Sequence, residues 1–411
     1  MTVPAGLRAF RHRDFRVFFT GQAVALVGSW MQQVAQAWLV LSLTGSPLRL
    51  GLVGSLNFLP ILLFAVVGGA VADRLPKRRL LVMTQSLLGC QTLTLAVLIV
   101  SGRVRYWHVC VLAIVWGIAN TIDLPVRQAF IVELAGRADV TSAVALNSAA
   151  FNVARIVGPA AAGLLIARAG VAPAYFINAG AFVVVIVTLL LVRARGAPLP
   201  RGETSIAAEV REGVAYALRT PHIRLVLAVL AVVSITVFNF SVYVPLFARQ
   251  VLHRGPEGFG LLMASVGVGA VGGALTLGAM RAPSTTLLFA TAFGSCAGLV
   301  VMSVIDRFVV AAVALFTLGW ISVMVVAGCQ ATLQLAAPDR LRGRIMSLHT
   351  FIYGGVFPFG AFTVGSVSEH WGVSWAYRVA GVFGLLALVV VLALWRLRAR
   401  AASAVAGGRL A

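Results

Sequence analysis

Few side chains in this 411-residue sequence can do chemistry, and where they fall is informative. Charged residues make up 11% of the chain, against about 25% in a soluble domain whose surface must be wetted. Arg155 stands in the middle of an apolar run, where a cation is costly unless it faces a partner or a wet cavity. It shares a helical face with Ser148, Phe151 and Asn152. Two uses stay open: a cavity-facing contact with substrate or proton coupling, and a static pairing with Asp123. The other acids and histidines in or near apolar runs are Asp123, Glu133, Glu369 and His349. Glu133 reads as a loop residue. His349 reads as a satisfied buried histidine before it reads as a group titrating near neutral pH.

Uncharged polar side chains form stripes. Gln22, Ser29, Gln33 and Gln36 recur at spacings of seven, four and three residues, with Trp30 beside them. Thr236, Asn239 and Tyr243 repeat the pattern in a later run, and Gln330 and Gln334 in a third. In lipid such groups either hydrogen-bond between helices or line a cavity. Three runs carrying them favour a shared substrate cavity. With no dominant acid among them, the expected cargo is a neutral or anionic amphiphile, with Arg155 as counter-charge.

Signatures of catalysis are missing. The sequence holds no phosphate-cradling G-x-x-x-x-G-K-[ST] loop, no nucleophile elbow and no metal-spaced His/Cys set. Cys90, Cys110, Cys296 and Cys329 all lie in apolar runs. No catalytic residue, metal site or cofactor is expected, and an ion gradient is the expected driving force.

The elements that must position these groups are membrane spans. Hydrophobic residues are 60% of the chain and the mean hydropathy is +0.97. A spanning helix needs roughly 20 apolar residues. That length predicts spans near 16–41, 48–71, 80–101, 107–131, 142–167, 173–192, 223–248, 258–280, 285–305, 308–336, 344–368 and 374–395. The first is too long for a signal-peptide core and has no cleavage site after it. The net charge of +21 comes from short cationic groups between the runs, not from a basic and aromatic nucleic-acid surface. Arginine is dense at Arg8 to Arg16, Arg74 to Arg79, Arg127 and Arg137, in the 193–222 linker, and at Arg281, Arg340 to Arg344 and Arg396 to Arg400. It is sparse in the alternate connections. Because such residues stay cytoplasmic, both termini and the linker are expected in the cytoplasm. The expected fold is therefore an all-α polytopic membrane protein of twelve transmembrane helices in two pseudo-symmetric six-helix bundles, 1–192 and 223–411, joined by a cytoplasmic linker, 193–222, with a short amphipathic helix. Leu50-Gly51-Leu52 and Phe259-Gly260-Leu261, and Pro159 and Pro358, echo one another between the halves.

The run Gly69-Ala70-Val71-Ala72-Asp73-Arg74-Leu75-Pro76-Lys77-Arg78-Arg79 resembles the G-x-x-x-D-R-x-G-R-K-R loop of the major facilitator superfamily, with Pro76 in place of the usual second glycine. The resemblance implies a conformational latch in which Gly69 permits close approach, Asp73 and Lys77 supply charge, Asp123 is the acidic partner and Arg342 a docking point. The matching loop of the second half, Gly278 to Ala282, lacks the acid. Asp123-Leu124-Pro125-Val126-Arg127, Asn147-Ser148, Arg155 to Pro159, Leu43-Thr44-Gly45-Ser46-Pro47 and Arg342-Gly343-Arg344 are similar to the bacterial branch of macrolide-efflux-like and enterobactin exporters. Gly158, Pro159 and Gly163 resemble that superfamily's antiporter motif, although a structural kink reads equally well from them.

Together these features imply a monomeric secondary exporter of a small amphiphilic drug, antibiotic or siderophore, driven by proton antiport across the cytoplasmic membrane. A proton-coupled importer and an uncoupled lipid-flipping or receptor protein are the alternatives. On the predicted topology, a cysteine introduced within 200–210 stays unlabelled when an impermeant maleimide is added to intact cells; labelling would overturn the map.

Overall fold

The computed structural model describes residues 5–194, 196, 206–280 and 283–407, without the side chains of 5, 65–74, 206–210 and 398–407. Among the described residues every regular element is helical. After a 3-10 turn, Ala5–Arg11, come α1 (Arg13–Thr44), α2 (Pro47–Arg74), α3 (Lys77–Val100), α4 (Tyr106–Ala169), α5 (Ala172–Leu191), the short α6 (Ile206–Arg219), α7 (Pro221–Thr236) and α8 (Phe240–Gln250). The rest of the chain forms α9 (Pro256–Gly278), α10 (Thr285–Met302), α11 (Phe308–Ala336), α12 (Arg342–Gly355), α13 (Phe357–Trp371) and α14 (Val373–Gly407).

Eleven helical segments are long and apolar enough to cross a membrane. One of them, α4, has 64 residues, or about 96 Å of helix against a hydrocarbon core of about 30 Å. It crosses twice, reversing at Gly136, whose φ of 69° and ψ of 158° leave the helical region. Counting α4 as two gives the twelve crossings expected, with both termini on one side. The polar connection expected between 131 and 142 shrinks to this single glycine hinge. Arg127 therefore lies inside the helix rather than in a loop, and so does Glu133.

Two other crossings are broken near their middles. α7 and α8 form one, interrupted at Val237 to Asn239, and α12 and α13 another, interrupted at Val356 just before Pro358. Proline lacks the N–H that would continue the ladder, so a break there costs little. α6 forms in the linker as its amphipathic pattern predicts. Its Glu212 pairs with Arg340 at 2.5 Å and with Arg344, tying the linker to the start of α12.

Helices α1 to α5 pack mainly on one another, as do α7 to α14, and the groups meet where α2 lies on α13 and where α4 lies on α9. Both meetings are glycine crossings. A Cβ on Gly365 would stand 2.8 Å from the Pro47 carbonyl oxygen and 3.0 Å from Gly51 Cα. On Gly163 it would stand 2.6 Å from the Pro256 carbonyl oxygen and 3.0 Å from Gly260 Cα. The two are symmetry-related: each glycine partner lies four residues after the proline that opens its helix. Small residues let backbones touch where lipid supplies no hydrophobic drive between helices.

Both crossings seal the end of the bundle away from the termini. Toward mid-span α9 still meets α4 at Gly267, against the Arg155 carbonyl. Beyond it Gly269, Gly272 and Gly273 turn to Phe316 and Trp320 of α11, within their own group.

Gly163→Val is expected to pry this end open, because overpacking costs about 1–3 kcal/mol and so raises the open population roughly tenfold. Gly180, with nothing within 4 Å of its Cβ position, supplies Gly180→Val as the silent control. The readout is maleimide labelling of Gln36→Cys from the far side, in a background whose native cysteines are serine. Equal labelling in both variants would refute the gate.

Candidate functional site

A small, half-open pocket of about 40 Å³ lies under the glycine seal, between α1, α2, α8 and α13. α1 contributes Gln33 and Gln36, α2 Val53, Asn57 and Phe58, α8 Ser241 and Val242, and α13 Phe357. The break between α7 and α8 places Ser241 and Val242 there. Asn239 starts the new helix: its backbone carbonyl accepts from Val242 and Tyr243, and its Nδ2 donates to the Ile235 carbonyl at 2.9 Å. The Phe58 and Phe357 ring centroids are 4.4 Å apart across the two halves. The buried Oδ1 atoms of Asn57 and Asn239 have no hydrogen-bond partner, and an unmet buried acceptor costs about 1–3 kcal/mol. The wall is thus aromatic and amide-bearing, and it offers apolar contact together with acceptors for hydrogen-bond donors.

Arg155 sits half-buried at mid-span in α4, with its guanidinium 5.9 Å from the Trp30 ring centroid. Trp30 meets Phe151 edge-on at 5.6 Å and lies one turn from Gln33 along α1. Gly158 makes room for it, since a Cβ there would stand 2.6 Å from Trp30 Cβ. From the other half, Tyr353 is close enough to Arg155 to interact electrostatically; its ring meets Phe238 at 5.3 Å and stacks with His349. Among the described residues no carboxylate lies within ion-pair distance of Arg155. The static pairing with Asp123 is not formed. His349 is buried as the sequence suggests and is satisfied in part: it hydrogen-bonds the Val326 backbone, while its Nε2 has no partner.

Asp123 belongs to a different network, wholly within the first half. It accepts from Thr84 Oγ1 and Gln85 Nε2, each at 2.7 Å, and from Arg127 one turn along. Arg127 in turn donates to Gln22 Oε1, so Gln22 serves this network and not the pocket. Lys77 pairs with Glu133 at 3.2 Å, and not with Asp123 as the superfamily pattern implies. The reason is reach: Glu133 lies on α4 toward the Lys77 end, whereas Asp123 is already saturated by its own neighbours. Arg342 pairs with Asp339 at 2.5 Å and donates to the Gln334 carbonyl. The side chains of Gly69 and Asp73 lie outside the described residues.

The remaining stripe residues divide. Tyr243 is fully buried, stacked on Tyr377 at 4.4 Å and donating to the Thr236 carbonyl across the helix break. It packs the second half together and lines no pocket wall. Gln330 and Gln334 are exposed on α11, away from the pocket lining. Gly158, Pro159 and Gly163 serve close packing: Gly158 on α1, Gly163 on α9, with the Pro159 carbonyl facing Gly260. Asn57, Phe58 and Phe357 line the pocket without belonging to any polar stripe of the sequence. Asn57, an amide inside an apolar run, carried the same signal as Gln33, but it stands apart from any stripe.

Comparison with known proteins gives the same class of molecule. Residues 5–408 match the family model described as transmembrane secretion effector. The multidrug efflux pump Tap of Mycolicibacterium fortuitum is 28% identical over 388 residues, covering 90% of this chain and 93% of that protein. The staphyloferrin A transporter of Staphylococcus aureus is 23% identical over 371 residues, 89% of this chain and 92% of the other. The enterobactin exporter EntS of Salmonella typhi is 24% identical over 395 residues, 94% of each. In fold, the chain is similar to a bacterial homolog of the human lysosomal transporter Spinster in an inward-facing, unoccupied conformation, with a TM-score of 0.70 at 13% identity over 97% of this chain and 98% of that one. It is likewise similar to the nucleoside transporter NupG, with a TM-score of 0.70 at 12% identity over 96% and 99% of the two chains.

The Asp123 side chain is 1% exposed and that of Glu133 34%, which separates their energetics. Asp123→Ala leaves Arg127 buried without its partner and is expected to cost about 3–5 kcal/mol. Glu133→Ala is expected to cost about 1 kcal/mol or less. Denaturant unfolding of the purified protein checks the difference, and similar losses for the two would show that the Asp123 network carries no special weight.

Proposed function

Because the chain belongs to the transmembrane secretion effector family of the major facilitator superfamily, and is a multi-pass membrane transporter rather than an enzyme, we propose that it exports a small amphiphilic compound by alternating access coupled to proton antiport. The cargo is a drug-like or siderophore-like molecule with an apolar body and an anionic or donor-rich head. Its termini and linker face the cytoplasm in this reading, so the sealed end of the bundle faces out and the state described is open inward.

One observation carries the proposal: Arg155 is a mid-span cation with aromatic neighbours from both halves and no carboxylate. A guanidinium so placed needs a counter-charge, and cargo entering from the open side can supply it. Trp30 and Phe151 then cover its apolar body while Tyr353 reports its presence to the second half. Cargo that touches both halves favours one packing of the two over another, which is what shifts a two-state equilibrium. Gln33, Gln36 and Asn57 would receive donors farther in.

Asp123 is the proposed proton carrier of the first half. Protonating it would free Arg127, which Gln22 also holds, and so alter the contact between α4 and α1.

Transport into everted vesicles tests this. An exporter accumulates substrate there only when the lumen is acidified; an importer does not, and an uncoupled lipid-flipping protein ignores collapse of the gradient. Arg155→Ala is expected to weaken apparent affinity for an anionic substrate about 10- to 100-fold, the worth of a charge-assisted hydrogen bond. Arg155→Lys should keep part of it, since the charge remains without the planar fork. Unchanged transport in Arg155→Ala would remove the basis of the proposal.

A further inference from the structure

The turn between α1 and α2 is held by the other half of the molecule at both of its helix ends. Ser46 caps α2, accepting from the Arg49 N–H at 3.2 Å, and Pro47 follows at the first helical position. The next free backbone donor, Leu48 N, lies 3.0 Å from Glu369 Oε2 of α13, and the Ser46 hydroxyl donates to the same oxygen at 2.7 Å. An anion thus sits at the positive end of α2. At the other helix end Arg249, closing α8, donates to the Leu41 carbonyl at 2.5 Å, where α1 terminates and Gly45 turns the chain at φ 64°. A cation thus sits at the negative end of α1.

These contacts lie beside one glycine crossing only. Gly365 is followed four residues later by Glu369; Gly163, its counterpart, is followed four residues later by Ala167. The cap of α9, Gly255, makes no side-chain hydrogen bond, and the acid in its first turn is its own Glu257. Of two crossings alike in backbone geometry, one carries a carboxylate that reaches across the halves. Glu369 is exposed at that face, so bulk protons reach it. The charged and titratable groups around it are Arg49 on α2 and His370 beside it on α13, whose Nδ1 lies 2.9 Å from the Ser366 carbonyl.

We propose that Glu369 is the proton-released bolt of this gate. Ionised, it fastens the start of α2 to α13 and holds the far end shut. On taking one proton from that side, it loses its charge-assisted hydrogen bonds, about twice as strong as neutral ones, together with its attraction to the α2 terminus and to Arg49. The gate then opens, parting the remaining contacts between the halves, with no covalent bond made or broken other than the O–H bond to the proton taken up. The sign is fixed by the contacts: they favour the carboxylate, so closure is firm at high pH and weakens as pH falls. This deepens, and rests on, the alternating-access reading above. An antiporter must expose its cargo site outward when protons arrive from outside, and Glu369 is placed to sense them.

The test uses purified, substrate-free protein in lipid nanodiscs, so it is independent of whether transport is proton-coupled. Spin labels go on cysteines replacing Arg103 and Arg307, exposed at the sealed end in opposite halves, with the native cysteines replaced by alanine. Pulsed electron resonance then reads the distance between halves at about pH 8 and about pH 3, on either side of the range in which a hydrogen-bonded glutamate takes up its proton. In the parent protein a longer-distance population is expected to grow at the lower pH. In Glu369→Gln it should already be raised roughly tenfold at the higher pH, the loss expected for hydrogen bonds to a charge, and should not respond to acid. Ser46→Ala, which removes one donor, should raise it less and keep the response. A parent whose distances ignore pH, or a Glu369→Gln protein indistinguishable from it, overturns the proposal. If Glu369→Gln does not fold, the parent titration and Ser46→Ala decide it alone.

Discussion

Two contacts between helix backbones, Gly51 on Gly365 and Gly163 on Gly260, decide how the rest of the molecule is arranged. In lipid, apolar side chains gain nothing by leaving the tails for a neighbouring helix, so helices associate through close packing and a few polar bonds. Where backbones touch through glycine, no rotamer freedom is lost and dispersion contacts are dense. These crossings fix the tilt of α2 and α9 against α13 and α4. From that tilt follow the pocket beneath the seal, the approach of Tyr353 to Arg155, and the separation below Gly267 where α9 turns to α11.

Polar groups inside the bundle sort into two kinds by whether their partners are already present. Asp123, Arg127, Gln22, Thr84 and the Gln85 Nε2 are hydrogen-bonded to one another within the first half, which leaves the Asp123 carboxylate with three partners. Such a network stiffens the bundle it belongs to, because breaking any member strands a buried partner. Arg155 has aromatic neighbours but, among the described residues, no carboxylate, and Asn57 Oδ1 and Asn239 Oδ1 have no hydrogen-bond partner; all three lie near the seam between the halves. A membrane protein that must keep each half rigid while the two move is served by this division: a paired charge inside the rigid body and a cation without a carboxylate where cargo enters.

Much of the architecture was legible because membrane burial writes long apolar runs and charge asymmetry into the sequence. The amphipathic α6, the echo of Gly51 in Gly260 and the lone Arg155 were all readable. The missed features share one cause, which is that they depend on tertiary proximity. Whether Lys77 meets Asp123 or Glu133 depends on the pitch of α4, which passes through Gly136 without the loop that polarity suggested. Tyr243 shared a helical stripe with Asn239, but the break at Asn239 rotates the stripe, so Tyr243 turns to Tyr377. Phe58 and Phe357, about 300 residues apart in sequence, look like any lipid-facing aromatic until the halves are docked.

A gate that must open cannot be held too well. For the minor state of a two-state protein to be populated at about 0.1–10%, the two states must differ by only a few kcal/mol. Glycine crossings meet that requirement, since on parting they expose backbone already hydrogen-bonded within its own helix and leave no orphaned polar group. The charged contacts beside them are of the same size as the gap: each hydrogen bond to a charged group is worth about 1.5–3 kcal/mol. Symmetric glycines therefore provide the surface along which the halves part, and the asymmetric charges of Glu369 and Arg249, present at one crossing and not the other, set which state is favoured. A polar seal of the same area made of many bonds would be too strong for one cargo molecule to reverse; an apolar one alone would respond to nothing.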